Sequence, residues 1–248
     1  MSTPVKPAIR QVTQDITTFS VPFKIGFLPL GGRSTAIRLT NGDVWVLASH
    51  PIDQDTRQTL DAMGHVKYIV SGDVDHYFFL ADYKAAYPNA LVIGPDGLQA
   101  KLEKQGKGVK LDGVYFVDSD DKRYGFEDEV HPFDPFHGHA KMDVAFYHIA
   151  SKSLVECDLL FNLPATESFK TIGGTGSIPL LTSLFKPGKF LHNQAIKGMV
   201  TDKVKVKVAS DAVLALDLER IIPCHGDVLE RADDPRGKWE ATFKGIVG

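Results

Sequence analysis

The chain has 248 residues, 43% of them hydrophobic and 24% charged, which is enough apolar material for one large core or two small ones. Its formal net charge of −3 and scattered basic residues exclude an electrostatic footprint for nucleic acid. Two cysteines, Cys157 and Cys224, are too few for a disulfide scaffold or a zinc ribbon, and no run approaches the roughly 18 apolar residues of a membrane-spanning helix.

The polar leader has no apolar signal-peptide core, so a reducing, cytoplasmic location is the expectation. Residues 16–23 and 27–30 have the composition of short strands. Residues 34–49, STAIRLTNGDVWVLAS, place two β-rich runs around Asn41-Gly42, which predicts a hairpin with a type I′ turn. A helix follows over 53–63, stopped by Gly64, then an apolar strand over 65–72 and a helix over 77–88 ended by Pro88. Another strand (90–97) and helix (97–107) continue the alternation, the pattern of layered α/β structure.

The second half is strand-rich over 114–119, 129–139 and 142–161, the last folding as a second hairpin around 150–153. Residues 162–192 mix Gly, Pro and Thr with apolar side chains and predict a loop or lid excursion across one end of the domain. The alternating lysines of 201–208 suggest a solvated face. A helix over 208–219, a strand with a turn over 220–227 and a closing helix over 237–247 complete the chain. With no repeat and no linker, a single domain over residues 1–248 is expected.

Four apolar strands run out into metal-type ligands: YIVSGDVDH (68–76), FDPFHGHA (133–140), KSLVECDLLF (152–161) and RIIPCHGD (220–227). Loops at strand ends are held by a rigid sheet, and active groups gather there. A catalytic divalent ion takes about three or four N/O ligands, keeps a position for water, and lowers that water's pKa to about 7. Plainer roles exist for each residue. Asp73 and Asp75 suit the cap of a helix beginning near Tyr77, and His225 suits a turn. Asp158 is harder to place otherwise, since a carboxylate among apolar residues costs on the order of several kcal/mol unless paired, hydrogen-bonded or metal-bound. His50, ending the hairpin strand, is positioned to face the same site. His65, His131, His148 and His192 stand outside any motif. Cys157 and Cys224 precede proposed ligands and alternate away from them, as core thiols do. GGTGS (173–177) lacks a P-loop lysine and reads as a flexible loop.

The order D-x-D-H, G-H, C-D and P-C-H-G resembles the metallo-β-lactamase superfamily, whose pattern is H-x-H-x-D-H, a later His, a bridging Asp and a final His in a P-x-H-G-like turn. The phrases ECDLLFN and PCHGD resemble a divergent, uncharacterised-domain branch with a degenerate first motif. On that alignment Asp75 and His76 fall on the D-H pair, Asp158 on the bridging Asp and His225 on the final His. The two leading histidines fall on Ser71 and Asp73, which leaves His139 as the matching histidine of the first site. The resemblance spans roughly residues 16–230. It implies an α/β fold of the four-layer αββα sandwich type, with metal ligands Asp73, Asp75, His76, His139, Asp158 and His225, and with Asp75 and Asp158 as catalytic residues.

One or two divalent ions are implied. Zn²⁺ is the family's expectation, while the extra carboxylate, Asp73, makes the cluster less positive and richer in oxygen, which favours Mn or Fe. Ser71 is a poor neutral ligand. His137 shares a face with His139 if the backbone there is extended, unless Gly138 breaks the strand. The implied activity is a metal-dependent hydrolase using metal-bound hydroxide on a small ester, lactone or related substrate; an apolar lid over 162–192 would favour a lactone. The alternatives are a catalytically decayed binding or structural protein and an iron-dependent redox enzyme. A small-molecule substrate and a homo-oligomer are the expected partners; nucleic acid and membrane are not.

Overall fold

Alternating side chains along the N-terminal strands set the architecture. In the computed structural model, which describes residues 5–115, 123–133 and 136–247, β1 (Ala8–Gln11), β2 (Ile16–Val21), β5 (Gly32–Arg38), β6 (Asp43–Leu47), β7 (His65–Val70), β8 (Leu91–Gly94) and β9 (Gly113–Val114) form one sheet in that order. The sheet is antiparallel from β1 to β6 and parallel from β6 to β9. A two-stranded flap, β3 (Lys24–Ile25) and β4 (Leu28–Pro29), stands between β2 and β5 in the chain. The second sheet runs β10 (Val130–Pro132), β11 (Phe146–His148), β12 (Ser153–Glu156), β13 (Arg220–Pro223), with only the last pair parallel.

Trp45 and Leu47 of β6 face the second sheet, while Val44 and Val46 face outward, as a period of two requires. Between the sheets Trp45 meets Phe146 edge-on at 5.0 Å, beside Tyr68, Val155 and Ile222. Outside the first sheet lie α1 (Gln54–Met63), α2 (Leu80–Ala86) and α3 (Leu98–Lys104), which bury Leu60, Tyr83 and Leu102 against it. Outside the second lie α5 (Phe190–Met199), α6 (Lys203–Leu214) and α7 (Pro235–Val247), with Ile196, Val213 and Trp239 buried. The Trp239 indole donates to Ser210 Oγ at 3.1 Å, so its polar edge is satisfied; truncating such a side chain costs about 3–5 kcal/mol. The result is the αββα sandwich, and no helix among the described residues is long and apolar enough to cross a membrane.

Several local expectations are corrected. The hairpin at Asn41-Gly42 is not type I′, because positive φ (86°) falls on Gly42 and not on Asn41. Leu39 N–H donates to Asp43 O, Gly42 N–H donates to Leu39 O, and Asn41 Oδ1 accepts from Asp43 N–H, so a three-residue loop closes on a left-handed glycine. Helix α2 begins at Leu80 rather than Tyr77, because Asp73 and Ser71 tie the backbone through His76 into a separate turn. Residues 203–208 are helical, started by Asp202, whose carboxylate accepts from Val204 and Lys205 N–H; Lys203, Lys205 and Lys207 are exposed. Part of the strand expected over 114–119 and residues 134–135 lie outside the described residues. The excursion at 162–192 holds α4 (Thr166–Lys170), a short 3-10 turn at Thr182–Phe185 and the start of α5. Leu163, Ala165 and Phe169 pack there on Leu30.

Candidate metal centre

Strand β7 delivers its last residues into a turn built from side chains. Ser71, fully buried, donates its hydroxyl to the Asp73 and His76 carbonyls, which commits it to the backbone. Asp73 Oδ1 accepts from the Asp75 and His76 N–H groups, at 2.7 Å each, and contacts His76 Nδ1 at 2.8 Å. Asp73 is thus a cap, but of a turn rather than of α2, and it also fixes an imidazole. Its Oδ2 is buried with no partner among the described residues. Asp75 faces outward, 40% exposed, between Lys101 of α3 and Lys141, whose ammonium lies 3.4 Å away. Burial pushes the Asp75 pKa up, but the two lysines overcome it and hold the carboxylate below its ordinary range.

The other ligand candidates arrive from the second sheet. Asp158 follows β12, is 2% exposed, and its N–H donates to Asp143 Oδ2 at 2.7 Å. His225 follows β13 in a turn that needs Gly226 at φ 88°, where a Cβ would sit 2.1 Å from Asn162 O. His225 Nδ1 lies 2.6 Å from Gly31 O; a carbonyl accepts only, so the proton sits on Nδ1 and Nε2 keeps a free lone pair. That Nε2 lies 3.4 Å from Asp158 Oδ1, and His76 Nδ1 lies 4.0 Å from Asp158 Oδ2. One donor atom each from His76, Asp158 and His225 lies within 4.8 Å of the others. Ligands of one tetrahedral ion stand about 3.4 Å apart, so a small closure of this trio suffices.

Lys141, which no motif marked, ion-pairs with Asp158 Oδ2. Burial lowers the lysine's pKa, but Asp158 outweighs it and keeps the ammonium charged. Burial likewise opposes the charged forms of His76 and Asp158. Asp73 and Asp158 nevertheless hold His76 well above its usual range, and His76, His225 and Lys141 hold Asp158 well below its own. For His225 burial wins, and its pKa falls.

His139 is 2% exposed and neither ring nitrogen has a partner among the described residues; burial brings its pKa to about 4, so it is a neutral imidazole. Its neighbour His137 is exposed. Gly138 separates them in a turn pressed against the start of α6, where a Cβ would sit 2.1 Å from Asp202 O. The extended backbone that would have aimed His137 inward is therefore absent. His50 does not face the site either. It is buried toward α1, stacked on Phe19 and bonded to Ser34 Oγ and Thr56 Oγ1.

Two buried acids were not among the expected ligands. Asp143 is fully buried, with Oδ1 unpartnered among the described residues and a donor atom within 4.8 Å of both Asp73 and Cys157. Glu156 accepts from Leu159 and Leu160 N–H and shapes the turn that presents Asp158. Burial pushes both acids well above the carboxylate range, Asp143 further through Asp73 and Glu156 further through Asp143. A signal for the first exists in the chain, since Asp143 stands between Met142 and Val144 much as Asp158 stands between Cys157 and Leu159.

The trio forms the floor of a cavity of about 960 Å³. Val21, Pro22, Phe23, Ile25, Tyr77, Phe78 and Phe79 give it an apolar lining. Among the described residues, none from 162–192 lines it. Of the β3–β4 flap, Ile25 lines it.

No family model and no curated protein sequence matches the chain. Solved structures do. A metallo-β-lactamase from Pontibacter korlensis superposes with a TM-score of 0.61 at 11% identity, covering 95% of this chain and 98% of its own. FIM-1 from Pseudomonas aeruginosa, a metallo-β-lactamase solved in its mono-zinc form, gives 0.62 at 11% identity over 98% and 97%. A metallo-β-lactamase from Hirschia baltica gives 0.61 at 10% over 95% of each chain. Identity this low speaks to backbone architecture, and the chemistry rests on the side chains above. The chain is a divergent bearer of the metallo-β-lactamase fold.

Proposed function

We propose that the protein is a metal-dependent hydrolase whose principal divalent ion is held by His76, Asp158 and His225. The observation that carries this reading is the convergence of those three donors at the floor of the cavity, with His225 pre-aimed by Gly31. The donor set of two imidazoles and one carboxylate suits Zn²⁺, Mn²⁺ or Fe²⁺. The buried, unpartnered nitrogens of His139 and Oδ2 of Asp73 fit a centre with room for a second cation. Bound there, a divalent ion supplies Lewis acidity and makes hydroxide available near neutral pH.

The chain's own groups do the rest. Asp75, ionised on the cavity wall, accepts a proton from the attacking water. Lys141, which pairs with Asp158 and lines the cavity, would offset negative charge growing on the substrate oxygen. The aromatic walls suit a small ester or lactone with an apolar body.

A second reading, a decayed site kept closed by its own lysine, is favoured by one observation: Lys141 already neutralises Asp158 and Asp75. Lys141→Met separates the two. The hydrolase reading expects the wild type to bind Mn²⁺ in calorimetry, and expects Lys141→Met to bind it at least as tightly while hydrolysing aryl esters and lactones at least tenfold more slowly. The decayed-site reading expects no binding by the wild type and a gain of binding in Lys141→Met.

A further inference from the structure

The two cysteines face each other beneath the cavity floor. Glu156 pairs with Pro223 across parallel strands β12 and β13, so the next residues, Cys157 and Cys224, stand side by side with sulfurs 3.5 Å apart. They are 0% and 3% exposed. Gly72 makes room for this arrangement, since a Cβ there would lie 2.6 Å from Cys157 Sγ. Cys224 Sγ also lies 3.6 Å from Ser49 Oγ, on the cavity wall, and Asp73 and Asp143 each place a carboxylate oxygen within 4.8 Å of Cys157 Sγ.

Alternation along the strands turns these sulfurs away from Asp158 and His225, yet His76 reaches both groups. One of its ring nitrogens and the two sulfurs lie within 4.8 Å of one another, the same limit that contains His76, Asp158 and His225. Two thiolates on one tetrahedral ion at about 2.3 Å stand about 3.8 Å apart, close to the observed sulfur separation.

We propose that His76, Cys157 and Cys224 form a second, buried coordination set for a thiophilic divalent ion such as Zn²⁺ or Cd²⁺, alternative to the His76–Asp158–His225 set because the two share His76. Thiolates select soft ions, and the carboxylate set suits harder ones such as Mn²⁺. The identity of the ion therefore decides its place. A hard ion faces the cavity, whereas a thiophilic ion sinks beneath the floor, releasing one proton from each thiol as the two metal–sulfur bonds form and one from the charged His76 ring as its nitrogen takes the ion. In that position it is withdrawn from substrate. The inference rests on His76 being a metal ligand, as in the proposed function, but not on hydrolysis.

The test is titration of the reduced, chelator-stripped full chain with cadmium chloride and, separately, with manganese chloride, following the ultraviolet sulfur-to-cadmium charge-transfer band and the total bound metal by equilibrium dialysis. The expected result is near-stoichiometric cadmium with the band present, an affinity at least tenfold weaker in Cys157→Ser and Cys224→Ser, and a band retained in Asp158→Ala. Cadmium bound without the band, or a band unchanged in both serine variants, overturns the inference and leaves the carboxylate set standing. Binding of neither cadmium nor manganese overturns both. The wild-type spectrum decides even where a serine variant fails to fold.

Discussion

Replacing His139 with leucine should make the metal-free protein more stable and the metal-loaded protein less responsive to its ion. The imidazole is 2% exposed, and both of its nitrogens lack partners among the described residues. An unsatisfied buried polar group costs about 1–3 kcal/mol, and an apolar side chain of similar volume removes that cost. In chelator, His139→Leu should therefore gain about 1–3 kcal/mol, a rise in Tm of about 2–4 °C for each kcal/mol in a chain of this size. With ion present the advantage shrinks. A ligand at a hundredfold excess over its Kd stabilises by about 2.7 kcal/mol, and a variant lacking a donor captures less of it. Urea and thermal unfolding with and without Mn²⁺ or Zn²⁺ read both effects. A variant less stable than wild type in chelator, at an unchanged m-value, would refute the reasoning and assign the imidazole an ordinary packing role.

Gly226→Ala should open the turn that presents His225. The left-handed backbone alone costs about 1 kcal/mol, and the added Cβ meets Asn162 O at 2.1 Å; a loss above about 2 kcal/mol and reduced metal content are expected in urea unfolding and elemental analysis. Acid should destabilise the fold through His50 and His192, whose burial brings each pKa to about 4. A folded pKa below the unfolded value of about 6.5 means that the unfolded chain binds more protons, so this stability is complete above pH 6.5 and is lost as pH falls toward 4. The loss amounts to ~3 kcal/mol per histidine, and urea midpoints at pH 7 and 5 should differ less in His50→Gln than in wild type. Arg33→Met should cost about 2 kcal/mol or more, because the buried guanidinium holds Glu167 and donates to Pro223 O, just ahead of the His225 turn. A urea midpoint unchanged from wild type would show the pair to be idle.

The alternation of apolar strand and helix through residue 107 carried the sandwich, because the continuous apolar run of β6, buried on both faces, and the capped, glycine-stopped α1 are local signals. The strand ends bearing Asp158 and His225 were legible for a related reason: a polar side chain that breaks an apolar strand is costly to bury unless something binds it. The features that stayed hidden depend on folding at long range. Lys141 reaches Asp75 from a turn in the connection between β10 and β11, and nothing near it in the chain marks that contact. His50 and Asp75 took their orientation from packing that the sequence does not display: a hydroxyl cage for the first and two lysines for the second. Alternation correctly set the thiols of Cys157 and Cys224 apart from the Asp158 and His225 face, but it gave no hint that His76 closes over both.

The claim that His76, Asp158 and His225 hold an ion is tested most directly by the metal content of the purified, untagged protein after incubation with Mn²⁺, wild type beside Asp158→Ala. At least one ion per wild-type chain is expected, with most of it lost in the variant. No bound ion in either protein, with both folded by circular dichroism, would contradict the claim and leave a metallo-β-lactamase fold whose lysine has taken the place of the metal.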